Sequence, residues 1–432
     1  MEPHPIRLVV TDDLRRSRLT VFFRLLLLIP HAIWLVLWSF AALFASIANW
    51  VVVLVTGKPS VDLHRFLSAF VRYSTHVYAY GLLAANPYPG FTGSPGYPID
   101  VQIDPPALQG RLGAAFRLIL ALPPLILTAA LVGTATWNAA GEGSYDASSS
   151  AGSTGGFSAL GLAIVVAFLG WFACLAREQM PQGFRDLEAY SLRYAAQTYG
   201  YLVLLTDRYP DSDPSWPEPA PAPAPPAITL HPDGDDLRRS RVSVFFRLLL
   251  TFPHFVWLIL WSIAAFVAVI LNWFAVLFTG HSPAGLHRFL AAYVRYDIHV
   301  FAFLFLVANP FPGFTGAAGS YPIEIAIMPP EHQSRWTAAF RVFLAMPALL
   351  VMSSFNSALF LVGIGGWFAS LATGRMPAGL RNLGAYALRY AAQTDGYLFL
   401  LTGRYPYSGP AQLPAPPEEE PEEPLAPAPQ AA

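Results

Sequence analysis

"LTVFFRLLLLIPHAIWLVLWSFAALFASIANWVVVLVT", residues 19–56, carries one formal charge, Arg24, in 38 positions. A soluble core rarely holds an apolar run of that length, and about 18 such residues already mark a candidate membrane span. The rest of the chain agrees. Of its 432 residues, 54% are hydrophobic and 12% charged, against roughly 25% charged in an ordinary soluble domain. The reading is a mainly α, polytopic membrane protein whose first partner is the lipid bilayer. The start, "MEPHPIRLVVTDDLRRSR", does not have the pattern of a cleaved signal peptide, so none is expected. A net charge of −1 gives no electrostatic case for nucleic acid. A single cysteine, Cys174, excludes an internal disulfide and a cysteine-based metal site.

The apolar run recurs, and its recurrence sets the organisation. Residues 12–93 match 235–316 at a constant offset, with "DDLRRSR", "HRFL" and "ANPYPGFTG"/"ANPFPGFTG" in register. An older duplication lies within each half. Trp50, Trp171, Trp273 and Trp367 are each followed at one fixed spacing by an Arg-Tyr pair, at Arg72, Arg193, Arg295 and Arg389. At a second fixed spacing come Pro89, Pro210, Pro312 and Pro406. Upstream, "FR" pairs end in Arg24, Arg117, Arg247 and Arg341, each followed six residues on by proline. The second unit alone carries an insertion between its arginine and tryptophan, which includes "WNAAGEGSYDASSSAGSTGG".

The chain therefore divides into a first half, 1–210 (units 1–95 and 96–210), and a second half, 228–408 (units 228–318 and 319–408). Between them, 211–227 is a proline-rich, extended linker. The stretch 409–432, with "PEEEPEEP", is an acidic tail of disordered composition. Each unit opens on a short period-2 alternation next to proline, "PIRLVV", "YPIDVQI", "AITL" or "YPIEIAI", which predicts a small cytoplasmic strand.

The insertion splits 112–136 from 157–176, so each apolar stretch is expected to fold back as a transmembrane helical hairpin. The turns would lie near 40–45, 263–268 and 353–357, the last in "SSFNS". All 26 Lys and Arg residues lie outside these four tips. The positive-inside rule then gives eight spans, both termini cytoplasmic and one extracytoplasmic loop around 141–156. The stretch after each hairpin, such as 61–84, reads as an amphipathic helix in the membrane interface.

The pattern "FFRLLLLIPH…NWVVVLVTGKP…HRFLSAFVRYSTHVYAYGLL…PYP", together with "WFASLATGRMPAGLRNLGAYALRYAAQTDGYLFLLTGRYP", resembles a bacterial membrane family known as domain of unknown function 4389. The resemblance covers nearly all of the chain outside linker and tail. It implies a multi-pass protein of the bacterial inner membrane with no assigned activity, hence no catalytic residues to carry over. The second unit departs at Arg177-Glu178, where units one and three have Thr-Gly.

The candidate binding residues are the repeated arginines. Arg72, Arg193, Arg295 and Arg389 suit anionic lipid headgroups or another membrane protein. Arg24, Arg117, Arg247 and Arg341, just inside the apolar runs, are expected to snorkel to the headgroups. Weaker candidates are His76 and His299, whose places in the even units are taken by Gln197 and Gln393. His64 and His76 would lie about 18 Å apart on one helix, too far to share an ion, so no metal site or cofactor is expected. The chain has no GxSxG, HExxH or phosphate loop, and catalytic residues are not expected. The function this supports is a non-enzymatic membrane scaffold or accessory protein with a basic cytoplasmic face. The alternative is a transporter or lipid-handling channel formed between the two halves.

Overall fold

The computed structural model describes residues 3–133, 161–215, 228–232 and 237–410. The inserted loop, most of the linker and nearly all of the acidic tail lie outside the described residues. Unit one comprises β1 (Ile6–Val10), a short helix α1 (Arg18–Phe22), α2 (Arg24–Thr56) and α3 (Val61–Gly81). Unit two has β2 (Ile99–Ile103), α4 (Arg111–Ala115), α5 (Arg117–Val132), α6 (Leu162–Arg177) and α7 (Gln182–Leu202). Unit three has β3 (Ile228–Pro232), α8 (Arg241–Phe245), α9 (Arg247–Thr279) and α10 (Ala284–Leu304). Unit four has β4 (Ile323–Ile327), α11 (Arg335–Ala339), α12 (Arg341–Thr373) and α13 (Ala378–Leu398).

The expected hairpins do not form. Helices α2, α9 and α12 each run 33 residues without a break, through the positions assigned to the turns. The reason is local. No glycine or proline occurs between His31 and Thr56 or between His254 and Thr279, so nothing there disfavours helix. In "SSFNS", Ser354 and Ser357 donate back to the carbonyls of Leu350 and Ser353, which absorbs their polarity inside the helix. The eight-span count, which rested on those turns, falls with them. Each long helix is long and apolar enough to cross a membrane, whereas α5 and α6, at 16 residues each, are shorter. In unit two the backbones of Gly133 and Gly161 meet, so closely that a Cβ on Gly161 would lie 1.9 Å from the Gly133 nitrogen. There α5 and α6 abut, and together they stand where the other units have one helix.

Each long helix ends at a left-handed residue, Gly57 (φ 76°), Gly280 (φ 76°) or Gly374 (φ 72°), a conformation that costs glycine little. The departure of unit two, Glu178 (φ 57°), adopts the same backbone without that advantage. The chain then returns along the amphipathic helix. In unit one, α3 runs antiparallel to the first part of α2, with His31 sharing a 2.8 Å hydrogen bond with the Tyr73 hydroxyl and Trp38 packed on Phe66 and Phe70.

The units close in pairs by exchange. Strand β1 pairs antiparallel with β2, from Ile6↔Ile103 to Val10↔Ile99, and β3 pairs likewise with β4. Each ribbon lies across the amphipathic helices: β2 packs on α3, β1 on α7, and α3 on α7. On the far side α3 meets α2, while α7 meets α5 and α6. Each half is thus layered as long helices, amphipathic helices and ribbon. Ile6 and Ile228 seat directly on Gly200 and Gly396, where a Cβ would come within 2.1 Å of the isoleucine Cδ1. The halves meet where α12 packs on α5 and α6, and where Tyr190 of α7 meets Tyr386 of α13 at 6.2 Å between ring centroids.

The four tryptophans seal the exchange. Each indole N–H donates to a carbonyl on the short helix of the other unit in its half: Trp50 to Ala114 (2.8 Å), Trp171 to Val21 (3.1 Å), Trp273 to Ala338 (2.9 Å) and Trp367 to Val244 (3.1 Å). Trp273→Phe keeps most of the apolar contact and deletes that bond, at a cost of about 1 kcal/mol. A denaturant titration of helical signal in mixed micelles should show the unfolding free energy fall by that amount, with the midpoint moving to lower denaturant.

Candidate functional site

The most repeated chemistry in the molecule is a clamp at the end of each amphipathic helix. A helix leaves its last carbonyls without partners, and the negative end of its dipole favours a cation there. Arg24 supplies one: Nη1 donates to Tyr80 O (2.6 Å) and Ala85 O (2.9 Å), and the guanidinium lies 4.2 Å over the Tyr80 ring. Arg247 repeats this on Phe303 O and Ala308 O, over the Phe303 ring. Arg117 and Arg341 reach Thr206 O and Thr402 O, over Tyr201 and Tyr397. All four are at most 2% exposed. The snorkelling geometry expected of them is not the one adopted: each guanidinium turns inward onto carbonyls at, or a few residues beyond, the end of the amphipathic helix.

A second group completes each clamp. After every amphipathic helix one leucine takes a left-handed conformation, at Leu83 (φ 69°), Leu204 (φ 61°), Leu306 (φ 63°) and Leu400 (φ 58°). For a non-glycine residue this costs about 1–2 kcal/mol. Burial of the side chain, at most 2% exposed in each case, offsets it. The turn also presents the leucine carbonyl to a buried donor: Arg16 Nε for Leu83, Gln109 Nε2 for Leu204, Arg239 Nη2 for Leu306 and Gln333 Nε2 for Leu400. Arg16 is held in turn by Asp12, at 2.7 and 3.1 Å. Gln109 and Gln333 also accept from Arg117 and Arg341. Sequence reasoning passed over these four donors, although their constant spacing before the "FR" arginines was visible.

The other candidates line the inner layer. Arg72 Nε donates to Val101 O (3.0 Å) and Arg295 Nε to Ile325 O (3.0 Å), so each holds the strand of the neighbouring unit. His76 Nε2 meets Asp100 Oδ1 at 2.9 Å. Gln197 and Gln393 donate to Ile6 O (3.0 Å) and Ile228 O (2.9 Å). His299 packs on Tyr321, and burial pushes its ring pKa down to about 4, which keeps it neutral. Arg193 donates to Asp213 O and Ser215 O, and Arg389 to Gly409 O (2.5 Å), which ties down the segment leaving each half. The structure thus brings Arg72 with His76 and Gln197 with Arg193 around one ribbon, and it separates both sets from the Arg24-type clamps.

Three carboxyls break the repeat. Glu188 is fully buried on α7 with no hydrogen-bond partner for either oxygen among the described residues, where the other units carry Leu67, Leu290 and Gly384. Burial holds it well above the ordinary carboxyl range. Asp297 on α10 and Asp395 on α13 stand where the first half has Ser74 and Tyr199. Burial, then the charge of Asp395, raises Asp297 to about 8, and burial raises Asp395 to about 7. Finally, a cleft of about 500 Å³ at the end of the second half is lined by Arg238, Arg239, Ser240, Asn309, Thr373 and Arg375. In the first half the same end carries Glu178, which pairs with Arg18 at 3.2 Å, in the place of Gly374.

These features define a class, a quadruplicated helical protein with membrane-type apolar helices and helix-end arginine clamps. The model of the family described as Domain of unknown function (DUF4389) matches residues 18–92, 157–212, 241–315 and 335–408. The chain belongs to that family, in four tandem copies. No curated protein and no solved structure matches the chain.

Arg24→Lys leaves a charge but not a fork, and one ammonium cannot serve both carbonyls. The expected loss is about 1.5–3 kcal/mol in the same denaturant titration. The acid pair gives a pH dependence. Both carboxyls have folded pKa values raised above the ordinary 3.8, so the folded state binds the extra protons. Stability is therefore greatest near and below pH 4 on their account and declines as pH rises through about 7 to 8. Asp297→Ser, the residue of the first half, should flatten that decline in melting temperatures taken from pH 5 to 9.

Proposed function

We propose that this protein is a non-enzymatic scaffold or accessory protein of the bacterial cytoplasmic membrane, with both termini on the cytoplasmic side. Its basic face engages anionic lipid headgroups and, through them or directly, another membrane protein. One observation carries the reading. The arginine-lined cleft at Arg238 and Arg375 opens at the end of the long helices, beside exposed apolar residues such as Val242 and Phe245. A phosphate with acyl chains attached needs that combination, a bidentate cation above and hydrocarbon contact alongside. The repeated arginines elsewhere support a scaffold, since in each unit they fasten backbone to backbone.

A headgroup site makes a direct claim on lipid preference. Adding phosphatidylglycerol to the purified protein in neutral detergent should raise its melting temperature, and phosphatidylcholine should not. The double change Arg238→Glu and Arg375→Glu should abolish the difference. Equal shifts with both lipids would count against the headgroup reading. Chemical cross-linking in native membranes that recovers lipid but no protein neighbour would remove the scaffold role.

A further inference from the structure

The long helices look like spans by length and composition, yet what is packed against them does not fit a crossing orientation. Thirty-three residues make about 50 Å of helix, against about 30 Å of hydrocarbon. The exposed apolar side chains of α2 run from Leu25 at one end to Val55 at the other, with Trp34, Phe40 and Phe44 between.

The other side of the helix is occupied along its whole length. Arg24, His31 and Trp38 touch α3. Further along, Asn49 donates to Val203 O and Trp50 to Ala114 O. Beyond α3 and α7 lies the ribbon, between the two ends of α2: β2 is tied by Arg72 and His76 on the α3 stretch whose Tyr73 meets His31, and Ile6 of β1 seats on Gly200, close along the chain to the Val203 that accepts from Asn49. That ribbon has two strands, hence open edges, and carries the Arg7–Asp104 pair at 2.7 Å, with side chains 38% and 43% exposed. Gln102 beside it is exposed as well. Open sheet edges and exposed ion pairs do not occur at hydrocarbon depth. A transverse helix would carry them there.

Charge and chain continuity agree. In the first half exposed Arg18 and Arg177 stand together at one end of the long helices and exposed Lys58 and Arg111 at the other; in the second half exposed Arg241 and Arg375 stand at one end and exposed Arg335 at the other. A crossing would distribute cations to both sides, against the positive-inside bias. Between Gly133 and Gly161, moreover, a polar insertion containing Glu142 and Asp146 leaves from the middle of such a helix.

We infer that the long helices lie along the membrane rather than across it, embedded in the hydrocarbon of one leaflet. The amphipathic helices sit at the headgroup level and the ribbons in water. The occupant of the apolar face is the acyl-chain region of that leaflet, and both ends of every long helix meet headgroups on the same side. The inference rests on the membrane residence proposed above and adds orientation to it.

The test uses the full chain in native membrane vesicles of both orientations. Cys174 is fully buried and serves as the background. Single replacements Ser17→Cys, Lys58→Cys and Gln102→Cys, all at exposed positions, are treated with a membrane-impermeant maleimide. Labelling of all three from one and the same side is expected, and labelling of positions 17 and 58 from opposite sides overturns the inference. As a second measurement, nitroxides at positions 25, 40 and 55 report depth against quencher-bearing lipids. Depths within about one helix diameter, ~10 Å, support the in-plane arrangement. A deep middle with ends at opposite surfaces overturns it. Extraction of the wild-type chain by alkaline carbonate, with no lipid contact at any nitroxide, would overturn membrane residence itself, a result distinct from either.

Discussion

A guanidinium buried against the last carbonyls of a helix is the contact on which the rest of this molecule depends. Each amphipathic helix ends inside the protein, where water cannot satisfy its carbonyls, and each end is met by an arginine from the start of the long helix in its own unit. The arrangement serves three needs together. It opposes the helix dipole, gives a charged donor to carbonyls of the helix end and of the turn that follows it, and fixes where the long helix begins relative to the end of its partner. An aromatic ring beneath each guanidinium adds a cation–π contact where no carboxylate has to be buried. In unit one an ion pair, Asp12 with Arg16, stands beside the clamp.

With the helix ends fixed, the remaining contacts cross between units. Tryptophan from one unit reaches the short helix of the other, and the amphipathic helix of one unit holds the other's strand. The polar companion in this last role alternates between histidine and glutamine because the partner differs. His76 faces the Asp100 side chain, whereas Gln197 and Gln393 each face one backbone acceptor and one backbone donor. A carboxamide supplies both functions at once, whereas at His76 a ring nitrogen meets a carboxylate oxygen.

The repeat, its register and the positions of the arginines and tryptophans are legible in the sequence, because identical spacings need no structural knowledge to detect. The partners of those residues are not. A lone arginine five residues into an apolar run reads the same whether it faces headgroups or carbonyls, and the distinction lies in a helix end some 56 residues away at Tyr80. The long helices are illegible for a related reason. An uninterrupted apolar run carries no internal mark of whether it turns, and the insertion between Gly133 and Gly161 resembles a hairpin loop until the two glycines are seen to touch. Glu188 reads from sequence as a pairing partner for the repeated arginines, and its burial without a hydrogen bond comes from the packing of α7 against its neighbours, which neither hydropathy nor the other three units anticipate.

The exchange of strands sets a lower limit on what can fold. One unit by itself presents an unpaired strand, an indole without its acceptor and an amphipathic helix without the ribbon it holds, so the smallest closed piece is a pair. A chain with one copy would have to borrow these partners from a second molecule and would assemble only as concentration allowed. Tandem duplication turns that bimolecular search into ring closure along one backbone, at an effective concentration set by the short connection from α3 to β2.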